Sequence, residues 1–216
     1  LLNPTLNAFD IEHSKHSKLS PLVNEIERLI QYQPYQLSFT SYHIESGDYL
    51  YINPDQLFPM ASMSKLLMAL TYLDLKDRGI VDGSKVLQIN QKQLRPYSVF
   101  SKLFINPNIT ISLDNALEAM MIYSENTATD LLFYEIGGIE AIQSFIKKHQ
   151  FNDINISRSI LEVIAATDGV LITDNTFKSL TDYNKKRQNV GRSAEEKARK
   201  QFFSSKKDTA TARAFV

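Results

Sequence analysis

Phe58-Pro59-Met60-Ala61-Ser62-Met63-Ser64-Lys65-Leu66-Leu67-Met68 is the stretch on which the reading of this chain turns. Ser62 and Lys65 stand at i and i+3 where an apolar run of helical spacing begins, so both side chains leave one face a turn apart. A serine hydroxyl is a weak nucleophile until a base takes its proton. A neighbouring amine becomes such a base once burial has lowered its pKa. The start of a helix adds free backbone N–H groups and a partial positive charge, both suited to an anionic tetrahedral intermediate. Alone, S-x-x-K is common by chance and usually marks a plain helix with a serine near its cap and a solvated lysine.

A second segment changes that balance. Ile122-Tyr123-Ser124-Glu125-Asn126-Thr127-Ala128-Thr129-Asp130-Leu131-Leu132, followed by Gly137-Gly138, sets a short turn between two apolar helical stretches. Ser124 offers a second hydroxyl that relays a proton to a leaving nitrogen. Asn126 offers an amide able to bond both a lysine and a substrate carbonyl. S-x-x-K paired with S-D-N and K-T-G is the established signature of class A β-lactamases and penicillin-binding proteins. Here the second element reads S-E-N, with Glu125 in place of aspartate.

On these residues the chain resembles the class A β-lactamase family and its serine-hydrolase relatives. The resemblance runs from about Leu22 to Gln150, with a weaker echo at Asp208–Val216. It implies catalytic roles for Ser62, Lys65, Ser124 and Asn126, and it makes Tyr97, in Arg95-Pro96-Tyr97-Ser98-Val99, an aromatic wall of the substrate entrance. It also implies a β-lactam or peptidoglycan-like small-molecule substrate, no cofactor or metal, and an extracytoplasmic (periplasmic or secreted) location. The expected geometry has Lys65 Nζ and Ser124 Oγ near hydrogen-bonding reach of Ser62 Oγ. Lys65 should be largely buried, with Asn126 among its partners.

Two departures from the family stand out. The family's deacylating glutamate follows an arginine in an Arg-x-Glu-Pro context, and the best match is Arg158-Ser159-Ile160-Leu161-Glu162. That alignment puts Ile160, which cannot act as a base, at the glutamate position. Glu162 is then the candidate displaced general base, with Asp168 nearby. The second departure is that no Lys-Thr-Gly or Lys-Ser-Gly triad occurs in the sequence.

With 216 residues and 43% hydrophobic composition, the chain can bury a core of its own. Lys and Arg number 24 against 24 Asp and Glu, so no global field favours nucleic acid or an anionic membrane. Cysteine is absent, which removes disulfides and thiolate metal sites. There is no run long enough to span a bilayer and no signal-peptide pattern, and Leu1-Leu2-Asn3-Pro4 is compatible with the start of a mature chain. No G-x-S-x-G, H-E-x-x-H, G-x-G-x-x-G or P-loop motif occurs, the histidines are scattered, and His43 reads as a structural strand residue.

The pattern predicts a polar tail or arm over 1–19, and the resemblance implies a β-lactamase-like domain over 20–216. A helix opens at Ser20-Pro21, strands lie at 37–43 and 49–52 around a Ser46-Gly47-Asp48 turn, and the Ser62 helix ends near Gly79. Residues 80–113 read as loop and short helix, followed by helices at 113–123, 127–136 and 139–148. Residues 179–207, rich in lysine and arginine with interspersed acids, read as a solvated, partly mobile insertion. Asp208–Val216 reads as a capped helix just begun. The expected class is α/β in the loose, α+β sense: a helical half beside an antiparallel sheet. The family's C-terminal strands are expected to lie beyond this chain, in a longer product or a second chain that completes the sheet. The leading function is a serine hydrolase acylated on Ser62. The alternatives are a penicillin-binding or peptidoglycan-directed protein and a binding or sensor module without turnover.

Overall fold

A computed structural model describes residues 9–15, 19–30, 36–104, 106 and 108–216. The described residues divide into two compact units, one within 1–58 together with 209–216 and the other 59–208.

In the first unit, β2 (Phe39–His43) and β3 (Asp48–Ile52) form the antiparallel hairpin that the alternation predicts, with Phe39 opposite Ile52 and His43 opposite Asp48. Gly47 supplies the turn at φ 72°, its N–H donating to His43 O at 2.8 Å. A third strand, β1 (Ile11–His13), lies on the other side of β3. This corrects the expected tail, of which residues 1–8 and 16–18 lie outside the described residues. The strand is only 3 residues long and partly charged, too short for alternation to mark it. The helix α1 (Ser20–Ile30) buries Val23 and Ile30.

Residues 209–216 also differ from the expected helix. Thr209–Ala210 is strand and Arg213–Phe215 a 3-10 turn. Arg213 holds that turn on the sheet through Glu12 and Asp55, each at 2.6 Å, with its guanidinium over the Tyr51 ring.

In the second unit, α2 (Ser64–Asp77) is the central helix, packed on α4 (Leu113–Tyr123), α5 (Asn126–Glu135) and α6 (Gly138–Lys148). Its buried stripe runs Lys65, Met68 and Tyr72, so the lysine occupies the core-facing side of the helix one turn before the first fully apolar position. Leu113, Ala116 and Met120 of α4 and Ala128 and Leu132 of α5 supply the facing apolar positions. Residues 80–113 carry more than loop. Alongside the short α3 (Phe100–Leu103), β4 (Val86–Ile89) pairs antiparallel with β5 (Ile109–Ser112), from Val86 opposite Ser112 to Ile89 opposite Ile109. Each strand has 4 residues and they are far apart in sequence, so no hairpin signal announces them.

The chain after Arg158 is helical as well. It holds α7 (Ile160–Asp168), α8 (Leu180–Gln188) and α9 (Arg192–Ser204), the last two occupying the stretch 179–207 that is expected as a solvated, partly mobile insertion. Two of the three helices start on a serine whose side chain accepts a backbone N–H, Ser159 from Glu162 and Ser179 from Asp182. Such caps contribute about 1 kcal/mol each. Tyr183 of α8 and Phe202 of α9 are buried, and Tyr183 joins a core with Leu161, Ala165 and Val170.

Candidate active site

Ser62 sits in the 3-10 turn Ala61–Met63 that leads into α2, on the exposed side, whereas Lys65 is 3% exposed. Lys65 Nζ makes three hydrogen bonds: to Ser124 O at 2.6 Å, Ser124 Oγ at 2.9 Å and Asn126 Oδ1 at 2.8 Å. Ser124 Oγ in turn donates to Ser62 Oγ at 3.2 Å. The four residues singled out by the two motifs are therefore brought together. One detail differs from the expected geometry: the ammonium reaches Ser62 through the Ser124 hydroxyl, its own three N–H groups being taken by Ser124 and Asn126.

Local backbone makes this convergence. Ser124 caps the end of α4 in the left-handed region, φ 52°, which turns its carbonyl and its hydroxyl toward the same amine. Ala61, before the serine, and Tyr97 also have positive φ, 46° and 58°. Left-handed non-glycine residues cost about 1–3 kcal/mol each. Asn126 opens α5, and its Nδ2 donates to Pro96 O at 3.0 Å, which fixes the amide orientation and ties in the loop that carries Tyr97.

Burial pushes the Lys65 pKa down to about 8, against the opposing pull of Glu125 and Asp130. Glu125, the departure from S-D-N, is buried and structural. It accepts from Ser98 Oγ and caps α5 through Ala128 N, while Thr127 Oγ1 donates to Ser98 Oγ at 2.9 Å. Asp130 is buried too. It accepts from Ile160 N at 2.8 Å, Leu161 N at 3.3 Å and Arg95 Nε at 2.6 Å, binding the start of α7 to α5. Burial raises Asp130 to about 6, with Arg95 pulling the other way. Arg95 also pairs with Asp174 at 3.1 Å. The sequence reading missed Arg95 and Asp130. Their signal was an aspartate beside Leu131-Leu132 on a helix that is otherwise mostly apolar on its inner face.

Tyr97 is 56% exposed and donates its hydroxyl to Asp168, at 3.2 and 3.1 Å. The Arg187 guanidinium lies 5.7 Å from the ring centre. Asp168 also accepts from Tyr183 at 2.6 Å and pairs with Arg187 at 3.0 Å. A carboxylate so fully engaged is committed to holding Tyr97 and α8. Glu162 is likewise committed. Its Oε2 accepts from Ser159 N at 3.0 Å and Ser159 Oγ at 3.1 Å in a capping box. Ile160 is buried in the first turn of α7. Among the described residues no group of three or more His, Asp or Glu could hold a metal ion.

A family model described as the β-lactamase enzyme family matches residues 21–216. A β-lactamase from Bacteroides uniformis is 28% identical over 144 residues, covering 66% of this chain and 48% of the relative. β-Lactamase VEB-1 from Pseudomonas aeruginosa is 28% identical over 150 residues, covering 68% and 50%. The chain thus spans about half the length of these curated relatives. Among solved structures, an ancestral class A β-lactamase superposes with a TM-score of 0.62 at 20% identity, over 91% of this chain and 60% of that one, a likeness of fold. The TLA-1 extended-spectrum β-lactamase gives 0.57 at 26% identity, over 62% and 50%.

Proposed function

The chain belongs to the β-lactamase enzyme family, and from that premise we propose that it is a serine hydrolase of the class A type, acylated on Ser62 by β-lactams or related peptidoglycan-like amides. The observation that carries this reading is the hydrogen-bonded chain from Lys65 through Ser124 to Ser62. With a pKa of about 8, roughly one-tenth of Lys65 is neutral at pH 7. In that form Ser124 Oγ donates to Nζ, and Nζ keeps its bonds to Ser124 O and Asn126 Oδ1. Ser62 Oγ attacks the substrate carbonyl carbon, its proton passes to Ser124 Oγ, and the Ser124 proton passes to Lys65. As the carbonyl–nitrogen bond breaks, Ser124 gives a proton to the leaving nitrogen and takes one back from Lys65, leaving an ester on Ser62 and Lys65 neutral again. The second N–H of Asn126 serves the substrate carbonyl, and Tyr97 forms a wall of the entrance.

Deacylation is the slow half of the reaction. The position where the family carries its water-activating glutamate aligns with Ile160, a buried side chain, and the neighbouring carboxylates Glu162 and Asp168 are engaged elsewhere. General-base assistance is worth about 100- to 10,000-fold, so the ester accumulates after a burst. This favours, as a second reading, a penicillin-binding or sensor role in which the acyl-enzyme itself is the product that matters. An extracytoplasmic setting fits this reading of the substrate; among the described residues no helix is long and apolar enough to cross a membrane. The natural protein at its full length should gain the mass of one penicillin on the peptide containing Ser62. Ser62→Ala should take up none, and labelling that persists in that variant refutes the assignment.

A further inference from the structure

The end of α7 and one face of α9 border a cavity of about 500 Å³ that plays no part in the acylation chemistry. Small residues leave it open: Ala165 and Ala166 on α7, Ala194 and Ala198 on α9. The helices come this close because α7 ends on Gly169, at φ 72°, where a Cβ would stand 3.3 Å from the Ala198 methyl and from Val190 Cγ1. Buried Val170 and Phe202 give the cavity an apolar wall, and Leu171 beside them is 98% exposed.

Cations supply the polar lining. Arg158, Lys197 and Lys207 line the cavity and no acidic residue does. The Arg158 guanidinium spends Nε on Asp208 at 2.6 Å and lies 5.5 Å from the centre of the Phe202 ring. Its Nη2 is buried without any acceptor, although a guanidinium carries five donors in a planar fork suited to a carboxylate. Asp208 offsets one of the three positive charges, and its other oxygen is taken by Ser157 N at 2.8 Å. The cavity is left net cationic.

We propose that this cavity binds a small organic anion with an apolar body, its carboxylate among Arg158, Lys197 and Lys207 and its hydrocarbon part against Ala166, Val170 and Phe202. A bare inorganic anion leaves the apolar wall and Leu171 in water. A neutral apolar guest leaves the net cationic lining without a counter-charge. Cavities of this size hold small organic ligands, and a few convergent polar groups on an apolar wall are how such ligands are oriented. The inference stands apart from the reading of Ser62, whose residues take no part in it.

The test is titration of the full chain with butyrate, hexanoate and octanoate, and separately with inorganic phosphate, followed by NMR on the amides and alanine methyls of α7 and α9. The expected result is saturable shifts confined to those helices, with affinity rising by up to about fourfold per added methylene. The double variant Lys197→Glu with Lys207→Glu, both on exposed side chains, should weaken octanoate by about tenfold or more while leaving the spectrum folded. Ala194→Leu, which fills the cavity from an exposed position, should weaken octanoate without changing the charge. Absence of saturable shifts, phosphate binding as tightly as octanoate, or octanoate affinity unchanged in the double variant would each overturn the proposal.

Discussion

Ser62 and Ser159 each begin a helical segment, and each is followed three residues later by a charged side chain, Lys65 in one case and Glu162 in the other. The same spacing gives opposite outcomes. At Ser159 the serine hydroxyl accepts from Glu162 N and the glutamate accepts from Ser159 N and Ser159 Oγ, and Ser159 is fully buried. At Ser62 the serine stays exposed, while Lys65 finds its partners on Ser124 and Asn126, some sixty residues on in the chain. A carboxylate accepts from its own helix start; an ammonium has nothing to accept with, so it must look elsewhere for acceptors. The first arrangement closes on itself as structure, and the second leaves a hydroxyl open to solvent.

The largest effect should come from Lys65. Lys65→Ala and Lys65→Arg should both lower the acylation rate by about 100- to 10,000-fold, because a guanidinium stays protonated and cannot accept the relayed proton. Stopped-flow acylation would show it, and an active Arg variant would mean that the lysine acts only as a charge. In the wild type the same rate should rise with pH, gaining about tenfold per unit on the acid side and levelling off above a pH of about 8, as the neutral amine replaces the ammonium. A flat profile across that range would remove Lys65 from the base role.

Next in size is Asp130, on the structural side of the comparison. Asp130→Ala strips Arg95 of its buried partner and leaves Ile160 N and Leu161 N without their acceptor, at a cost of about 3–5 kcal/mol in a denaturant titration. By contrast Arg199→Ala, which breaks an exposed i,i+4 pair with Glu195 on α9, should cost under about 0.5 kcal/mol. Equal losses would mean that α7 is not held through Asp130.

The legibility of the chain follows the same division. The two motifs, the hairpin at Gly47 and the helices from α4 to α6 were readable because each carries its signal locally, in a period, a cap or a turn residue. The convergence of Ser62, Lys65, Ser124 and Asn126 was readable because two local signals point to one chemistry, although only the fold could show that Ser124 bonds both Lys65 and Ser62. The helices α8 and α9 were hidden by composition: one long-range aromatic contact each, Tyr183 and Phe202, anchors an otherwise polar helix. β1, β4 and β5 were hidden by length, since strands of 3 or 4 residues earn their place from partners remote in sequence. Arg95–Asp130 was hidden for the same reason, being a pairing that no spacing rule specifies.

Tyr97 joins the two regions, since it lies on the loop fixed by Asn126 and gives its hydroxyl to Asp168 at the end of α7. Tyr97→Phe keeps the ring beside Arg187 and removes only that bond. A hydrogen bond to a charged acceptor is worth about 1.5–3 kcal/mol when buried and less where, as here, the donor is half exposed. The expected result is an increase of about fivefold in the substrate concentration for half-maximal acylation, with the maximal rate unchanged. A fall in the maximal rate alone would place the phenol in the chemistry instead of the wall.

The smallest effect should come from Glu162→Gln, and it decides most directly between the two uses of the same spacing. If Glu162 were the displaced base for deacylation, removing its charge would slow release of the acyl group by about 100- to 10,000-fold. In its observed place the carboxylate accepts from Ser159 N and Ser159 Oγ, and the Gln carbonyl accepts from the same groups in the same geometry. What is lost is a favourable negative charge at the start of α7, worth about 0.3–1 kcal/mol. The thermal midpoint should therefore drop slightly and deacylation should proceed at the wild-type rate. Ser159→Ala gives the control, because it breaks the box from the other side and should lower stability by about 1 kcal/mol, again without touching the acyl-enzyme lifetime. A prolonged lifetime in Glu162→Gln with Ser159→Ala unaffected would move Glu162 from the cap to the chemistry, and with it the distinction between a spacing that closes on itself and one that stays open.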